Sequence, residues 1–250
     1  MMKMKVATKE EFFNQDTICI FTDASYQQKD LYKIPAEQLT SPAYCVYLND
    51  QCLERNCIIL NNCNSQQGEL YALFMGVNVA VKYYNLGYRR IKLFSDNQNA
   101  VLGIREWIFR WIRETNSGRA TFGANGRISN QEYYMDIIYT ILANRIFLEF
   151  YHVKGHVDLR NKASLAHAKY LFLKSNPFVG DDTTDDLIYY MAMGNNDVDY
   201  YSTTILKSFI YHNGSGYCSG THAISFEYDK SKLNMNDYKA LVNKNGRTIF

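Results

Sequence analysis

The chain is poor in several features that would decide its class at once. It has 3 prolines in 250 residues, too few for a linker-rich or collagen-like polymer. Its six cysteines (Cys19, Cys45, Cys52, Cys57, Cys63, Cys218) include no C-x-x-C pair. That argues against a zinc site and for buried free thiols in a reducing compartment. No apolar run approaches the roughly 18 residues a membrane span needs, so no membrane partner is expected. Met1-Met2-Lys3-Met4-Lys5 has charge but not the apolar stretch of a secretory signal, and a cytoplasmic location is the expectation. Neither sign of charge is in excess. Lys and Arg number 27 against 25 Asp and Glu, a net +2, which does not advertise a nucleic-acid binder.

Hydrophobic residues make up 47% of the chain, near the globular average. The length is ample for burying a core. Thr17-Ile18-Cys19-Ile20-Phe21-Thr22 is short, β-branched and apolar, and predicts a buried strand ending at Asp23. Two further strands, 43–48 and 57–60, predict a hairpin turning at Asn49-Asp50. Leu70, Leu73, Phe74, Val77 and Val81 recur at helical spacing, predicting a helix over 65–86 with Ser65 as N-cap and Gly87 as its stop. A strand over 91–95 ends at Asp96. Helices over 98–114 and 131–143, a strand over 146–153 and a helix over 159–173 complete the pattern. It describes an α/β chain with a five-stranded mixed sheet flanked by helices. A lead-in over 1–16, one domain over 17–175 and a C-terminal extension over 176–250, of unreadable role, are the expected divisions.

Three acids share a placement. Asp23 and Asp96 each end a strand, and Glu69 lies in the first turn of a helix. If the two strands are adjacent and parallel, the aspartates emerge side by side and Glu69 reaches them from above. Converging carboxylates repel unless cations neutralise them, and oxygen-only ligands suit Mg²⁺ or Mn²⁺. Two ions about 4 Å apart are what metal-assisted phosphodiester hydrolysis uses. One Asp at a strand end is ordinarily a turn residue, so the case rests on all three together.

The local contexts carry a resemblance. Phe21-Thr22-Asp23-Ala24-Ser25 resembles the first-strand motif of ribonuclease H, with Ala24 in place of the usual glycine. Ser65-Gln66-Gln67-Gly68-Glu69-Leu70-Tyr71-Ala72 is similar to the family's polar loop and helix start. Phe94-Ser95-Asp96-Asn97-Gln98-Asn99-Ala100-Val101, the stretch from Gly103 to Trp111, and Val153-Lys154-Gly155-His156 also match in order, over roughly 15–175. The resemblance implies a ribonuclease H-like fold and hydrolysis of the RNA strand of RNA–DNA hybrids by two-metal-ion catalysis. It implies Asp23, Glu69 and Asp96 as catalytic metal ligands, with Mg²⁺ or Mn²⁺ as cofactor. It also implies His156 as a catalytic loop histidine. An ordinary imidazole pKa of about 6.5 suits proton movement near neutral pH.

One departure stands out. The family places a fourth Asp near the start of the last helix, where this chain has Ser164 or Leu165. The replacement is open between Asp158, an acid of the extension such as Asp197 or Asp199, a three-acid site, and weakened activity. Asp158 as a helix cap is the simpler role for that residue.

Reading a hybrid requires contacts to 2′-hydroxyls across a shallow minor groove. Asn64, Ser65, Gln66 and Gln98 flank the acids and are expected there. Arg105, Arg110, Arg113, Arg119 and Arg127 against Glu106 and Glu114 make a local +3. Arg110, Arg113 and Arg119 are expected to grip DNA-strand phosphates. Integrases order their acids D, D, E, and proofreading exonucleases begin D-x-E, where this chain has Ser25. The competing readings are a non-catalytic or weakly active hybrid- or RNA-binding protein, and another nuclease of the fold such as a resolvase. Residues 1–175 hold 21 basic against 16 acidic residues, and 176–250 hold 6 against 9. The small total charge therefore joins a basic unit to an acidic one.

Overall fold

The computed structural model describes residues 9–27, 38–108 and 129–213. A short helix α1 (Lys9–Phe12) leads into strand β1 (Thr17–Gln27). Strands β2 (Leu39–Leu48), β3 (Gln51–Cys57) and the two-residue β4 (Leu60–Asn61) follow. Then come helix α2 (Ser65–Asn85), β5 (Arg90–Ser95) and α3 (Gln98–Leu102), which runs into a π-helical turn (Gly103–Trp107). Helix α4 (Gln131–Asn144), β6 (Glu149–His152), α5 (Lys162–Ser175) and α6 (Asp185–Asn213) complete the order.

The strands form one mixed sheet in the order β3-β2-β1-β5-β6, with β4 on β2. β1 pairs antiparallel with β2 and parallel with β5, which is parallel to β6. Alternation divides the sheet's side chains between two cores, because successive residues of a strand face opposite sides. Ile18, Ile20, Ile91 and Leu93 pack under α2 and α4. Cys19, Phe21, Phe94 and Tyr151 face the other way, against α1, α5 and α6. Both faces are covered, which explains why β1 begins as a continuous apolar run rather than an alternating one. On the second face the rings of Phe21 and Phe94 stack at 4.7 Å and those of Phe94 and Tyr151 at 5.3 Å.

Several sequence boundaries move. β1 runs past Asp23 to Gln27, because β2 continues to pair with it after β5 has stopped at Thr22. The hairpin's second strand starts at Gln51 rather than Cys57, directly after the Asn49-Asp50 turn, where Asn49 has φ of 52°. It is a half-exposed edge strand, so its polar residues carry no apolar signal. Gly87, at φ of 107°, does stop α2, in the region that favours glycine. Of the helix expected over 98–114, the described part is α3 followed by the wider π-helical turn; residues 109–114 lie outside the described residues. The last strand shortens to 149–152 and the following helix starts at Lys162. Cys19 and Cys45 are buried free thiols, whereas Cys52 is exposed. Arg110, Arg113, Arg119 and Arg127 lie outside the described residues. Among the described residues no helix is long and apolar enough to cross a membrane.

Over its described part, the segment after Asn176 packs on the sheet. Leu187, Ile188, Tyr190, Met191, Ala192 and Val198 of α6 are buried in the second core. A β-carbon on Gly194 would collide with the Phe21 ring, so the helix backbone lies directly on β1 there.

Candidate active site

Thr22 pairs with Ser95 in the parallel register of β1 and β5. Asp23 and Asp96 are the next residue of each strand path, so they leave the sheet side by side. Glu69 comes from the first turn of α2. That helix approaches closely because residue 68 is glycine; a β-carbon there would collide with Thr40 Oγ1. One carboxylate oxygen from each of Asp23, Glu69 and Asp96 lies within 4.8 Å of the others. Asp23 and Glu69 are buried and Asp96 is half-buried.

This arrangement is electrostatically costly without a counter-charge. Burial, then Asp96 and Asp199, hold the Asp23 carboxyl well above its usual range. Burial and the charges of Asp23 and Asp96 do the same to Glu69. Burial also raises Asp96, opposed by a hydrogen bond from Asn195 and by the charge of His156. Asp23 Oδ1 accepts from the Ala24 amide at 2.7 Å. Glu69 Oε2 is buried without a hydrogen-bond partner among the described residues. An orphaned carboxylate oxygen beside two more hard oxygen donors fits a divalent cation such as Mg²⁺ or Mn²⁺.

A loop closes the site from the β6 side. A β-carbon on Gly155 would collide with Asp96 Oδ2. His156 follows at φ of 52°. It is 79% exposed in its side chain, and its Nδ1 lies 3.2 Å from Asp199 Oδ2. His152, given no role by its sequence context, has its ring Nε2 3.1 Å from the Asp96 carbonyl oxygen. Burial lowers its pKa, which keeps the ring neutral beside the cluster. Asn176 ties down the same strand end, since its Nδ2 donates to the His152 carbonyl and its Oδ1 accepts from the His152 amide.

The expected substrate-side residues are at the site's rim. Asn64, Ser65 and Gln98 are exposed and Gln66 is half-buried. The cap assignment changes: Asn64, not Ser65, caps α2. Its Oδ1 accepts from the Gln67 amide at 2.9 Å while Gln67 Oε1 accepts from the Asn64 amide at 2.9 Å, a reciprocal capping box. Asn97 caps α3 and its Nδ2 faces Gln66 Oε1 at 3.5 Å.

Asp158 does not join the acids. Its Oδ1 accepts from the Arg160 amide, and its own amide donates to Ser164 Oγ. Asn161, rather than Asp158, caps α5. Asp199 was among the alternatives the sequence left open; what sequence reasoning missed is the polar face of α6 around it. Asn195 Nδ2 lies 3.5 Å from Asp96 Oδ2. Asn196 Nδ2 donates to the Val157 carbonyl and its Oδ1 accepts from the Val157 amide. Asp199 meets His156. Ser202 Oγ accepts from the Ser25 amide at 2.7 Å and Thr203 Oγ1 meets Ser25 Oγ at 2.6 Å. These positions recur at one, four, seven and eight residues after Asn195, which is one face of a helix. That period is the signal that could have found them.

A model of the RNase H family matches residues 14–166. No curated protein matches the chain. Among solved structures, LC9-RNase H1, a type 1 RNase H with the type 2 active-site motif, is 15% identical, with 64% of this chain and 71% of that chain covered at a TM-score of 0.43. The PFV RNase H domain is also 15% identical, covering 65% and 96% at 0.43. LC11-RNase H1 in complex with an RNA/DNA hybrid is 12% identical, covering 63% and 94% at 0.39.

Proposed function

As the chain belongs to the ribonuclease H family, we propose that it is an endonuclease that cuts the RNA strand of RNA–DNA hybrids with two divalent ions, Mg²⁺ or Mn²⁺. The observation that carries this is the convergence of Asp23, Glu69 and Asp96 with an unpartnered Glu69 oxygen. Binding alone has no need of three converging acids that repel each other.

Asp23, Glu69 and Asp96 would hold the metal. When bound, divalent ions lower the pKa of a coordinated water and stabilise charge on phosphate oxygens. The protein's share is positional. The parallel register of β1 and β5 fixes the two aspartates, and the α2 N-terminus presents Glu69. His156, on the solvent side of the cluster, has Nδ1 directed at Asp199, so Nε2 is the atom through which a proton is exchanged with the reacting groups. Asn64, Ser65, Gln66 and Gln98 surround the acids with small polar groups suited to sugar hydroxyls and phosphates. Arg110, Arg113 and Arg119 are assigned to the DNA strand by the same reading, which makes affinity fall with salt.

The test is strand-specific cleavage. Purified protein is incubated with end-labelled RNA–DNA hybrid, single-stranded RNA and duplex DNA, each with Mg²⁺ or Mn²⁺. Internal cuts in the hybrid's RNA strand alone are expected. Binding of the hybrid without cuts in either metal overturns the enzyme reading in favour of a binding module.

A further inference from the structure

We propose that Asp199 is a fourth carboxylate of the metal site, supplied to the cluster by helix α6. The inference rests on reading the three strand- and helix-borne acids as metal ligands. Asp199 is 26% exposed in its side chain, so it stands at the mouth of the site rather than in its floor. Its Oδ2 lies 3.2 Å from His156 Nδ1, and its charge bears on Asp23, Glu69 and Asp96 alike.

The position of α6 is set by many independent contacts. Gly194 lets the helix backbone down onto Phe21. Asn195 reaches Asp96, and Asn196 holds both backbone groups of Val157. Ser202 donates to the Ser41 carbonyl at 2.7 Å and accepts from Ser25. Asp199 lies between these anchors, about one turn from Asn195, Asn196 and Ser202, so it is delivered rather than stranded by a flexible chain. A helix docked this firmly would be destabilised by adding a fourth acid to three others unless a cation shares them. Glu69 Oε2, nine-tenths buried and without a partner, is the separate sign that the cluster has an unfilled ligand position.

The other acids nearby point elsewhere. Asp197 accepts from the hydroxyl of Tyr47 on β2. Two residues along a helix reverse the face, so Asp197 and Asp199 cannot both reach the site. Asp158 is engaged by the turn before α5. Among the described acids of these segments, Asp199 is the one whose charge bears on all three cluster acids.

The test is calorimetric titration of Mn²⁺ into the full chain without nucleic acid. Wild type is expected to bind two ions. Asp199→Asn is expected to keep the first and bind the second at least about tenfold more weakly. Asp199→Ser should show the same loss if the amide disturbs the contact with His156. His156→Ala is expected to keep both ions, with circular dichroism confirming that each variant is folded. Unchanged titration of both Asp199 variants overturns the proposal. So does an equal loss in His156→Ala, because Asp199 would then act only by holding the histidine. A wild type that binds two ions yet leaves a hybrid intact refutes the nuclease reading and leaves Asp199 in place. A chain that cuts the hybrid while Asp199→Asn titrates like wild type does the reverse.

Discussion

Gly155 sits so close to Asp96 that a β-carbon on it would collide with the Asp96 Oδ2. The loop that carries His156 is thus packed against one carboxylate of the acidic cluster, with no room for a side chain while Asp96 keeps its present orientation. The colliding atom is the end of a side chain that can rotate. Gly155→Ala is therefore expected to turn the Asp96 carboxylate away while leaving the fold intact. A displacement of this kind costs about 100-fold in turnover. Steady-state cleavage and thermal unfolding of the same variant check it; the expected result is a large loss of rate with an unfolding midpoint near that of wild type.

Stability should depend on pH in a direction opposite to that given by ion-paired carboxylates. Burial raises the carboxyls of Asp23, Glu69 and Asp96 in the folded chain. The folded state then binds protons more tightly than the unfolded chain. The resulting stability is full below the ordinary carboxylate range of about 4 and is lost as pH rises through the raised values. In EDTA, unfolding midpoints are expected to fall as pH rises from 4 toward 8. Mg²⁺ should restore stability at the upper end, and Asp23→Asn should flatten the profile and raise the midpoint at pH 8. A thermal-unfolding series with and without metal reads all three; an EDTA profile that Asp23→Asn leaves unchanged contradicts the account.

Docking of α6 is expected to fail first at Gly194. A valine there meets the Phe21 ring from a helix backbone that cannot move without breaking the Asn195 and Asn196 contacts. Overpacking of this sort costs about 1–3 kcal/mol. Denaturant unfolding of Gly194→Val checks the loss, and Gly194→Ala should fall between the two.

The cap of α2 gives a paired comparison. Asn64 satisfies the Gln67 amide, whereas Ser65 is already the first helical residue. Asn64→Ala is expected to cost about 1 kcal/mol and Ser65→Ala a few tenths at most. Equal losses would return the cap to Ser65.

The acids were legible because each carries its local context with it. Asp23 follows a β-branched run, Glu69 opens a periodic helix and Asp96 ends a second run. The sheet order then places them together, through a register that no single segment encodes. The polar edge strand β3 was misplaced because its residues face solvent and show no apolar pattern. The Asn64 cap lay one residue outside the serine that composition favours. Helix α6 was read as an appendage because its role depends on contacts across 99 residues, as between Asn195 and Asp96. A stripe of small polar side chains on an otherwise apolar helix has meaning only once the sheet beneath it is known. The acidic balance of the extension has a specific component in Asp199, which faces the site, while Asp185 pairs with Lys169 at the surface.

The most direct measurement compares wild type with Asp96→Asn on one labelled RNA–DNA hybrid, reading binding and cleavage together. The account predicts metal-dependent internal cuts in the RNA strand by wild type. It predicts that Asp96→Asn binds the hybrid with similar affinity and makes no cuts. A wild type that binds the hybrid and cuts nothing in Mg²⁺ or Mn²⁺, or an Asp96→Asn variant that cuts as well as wild type, would contradict it.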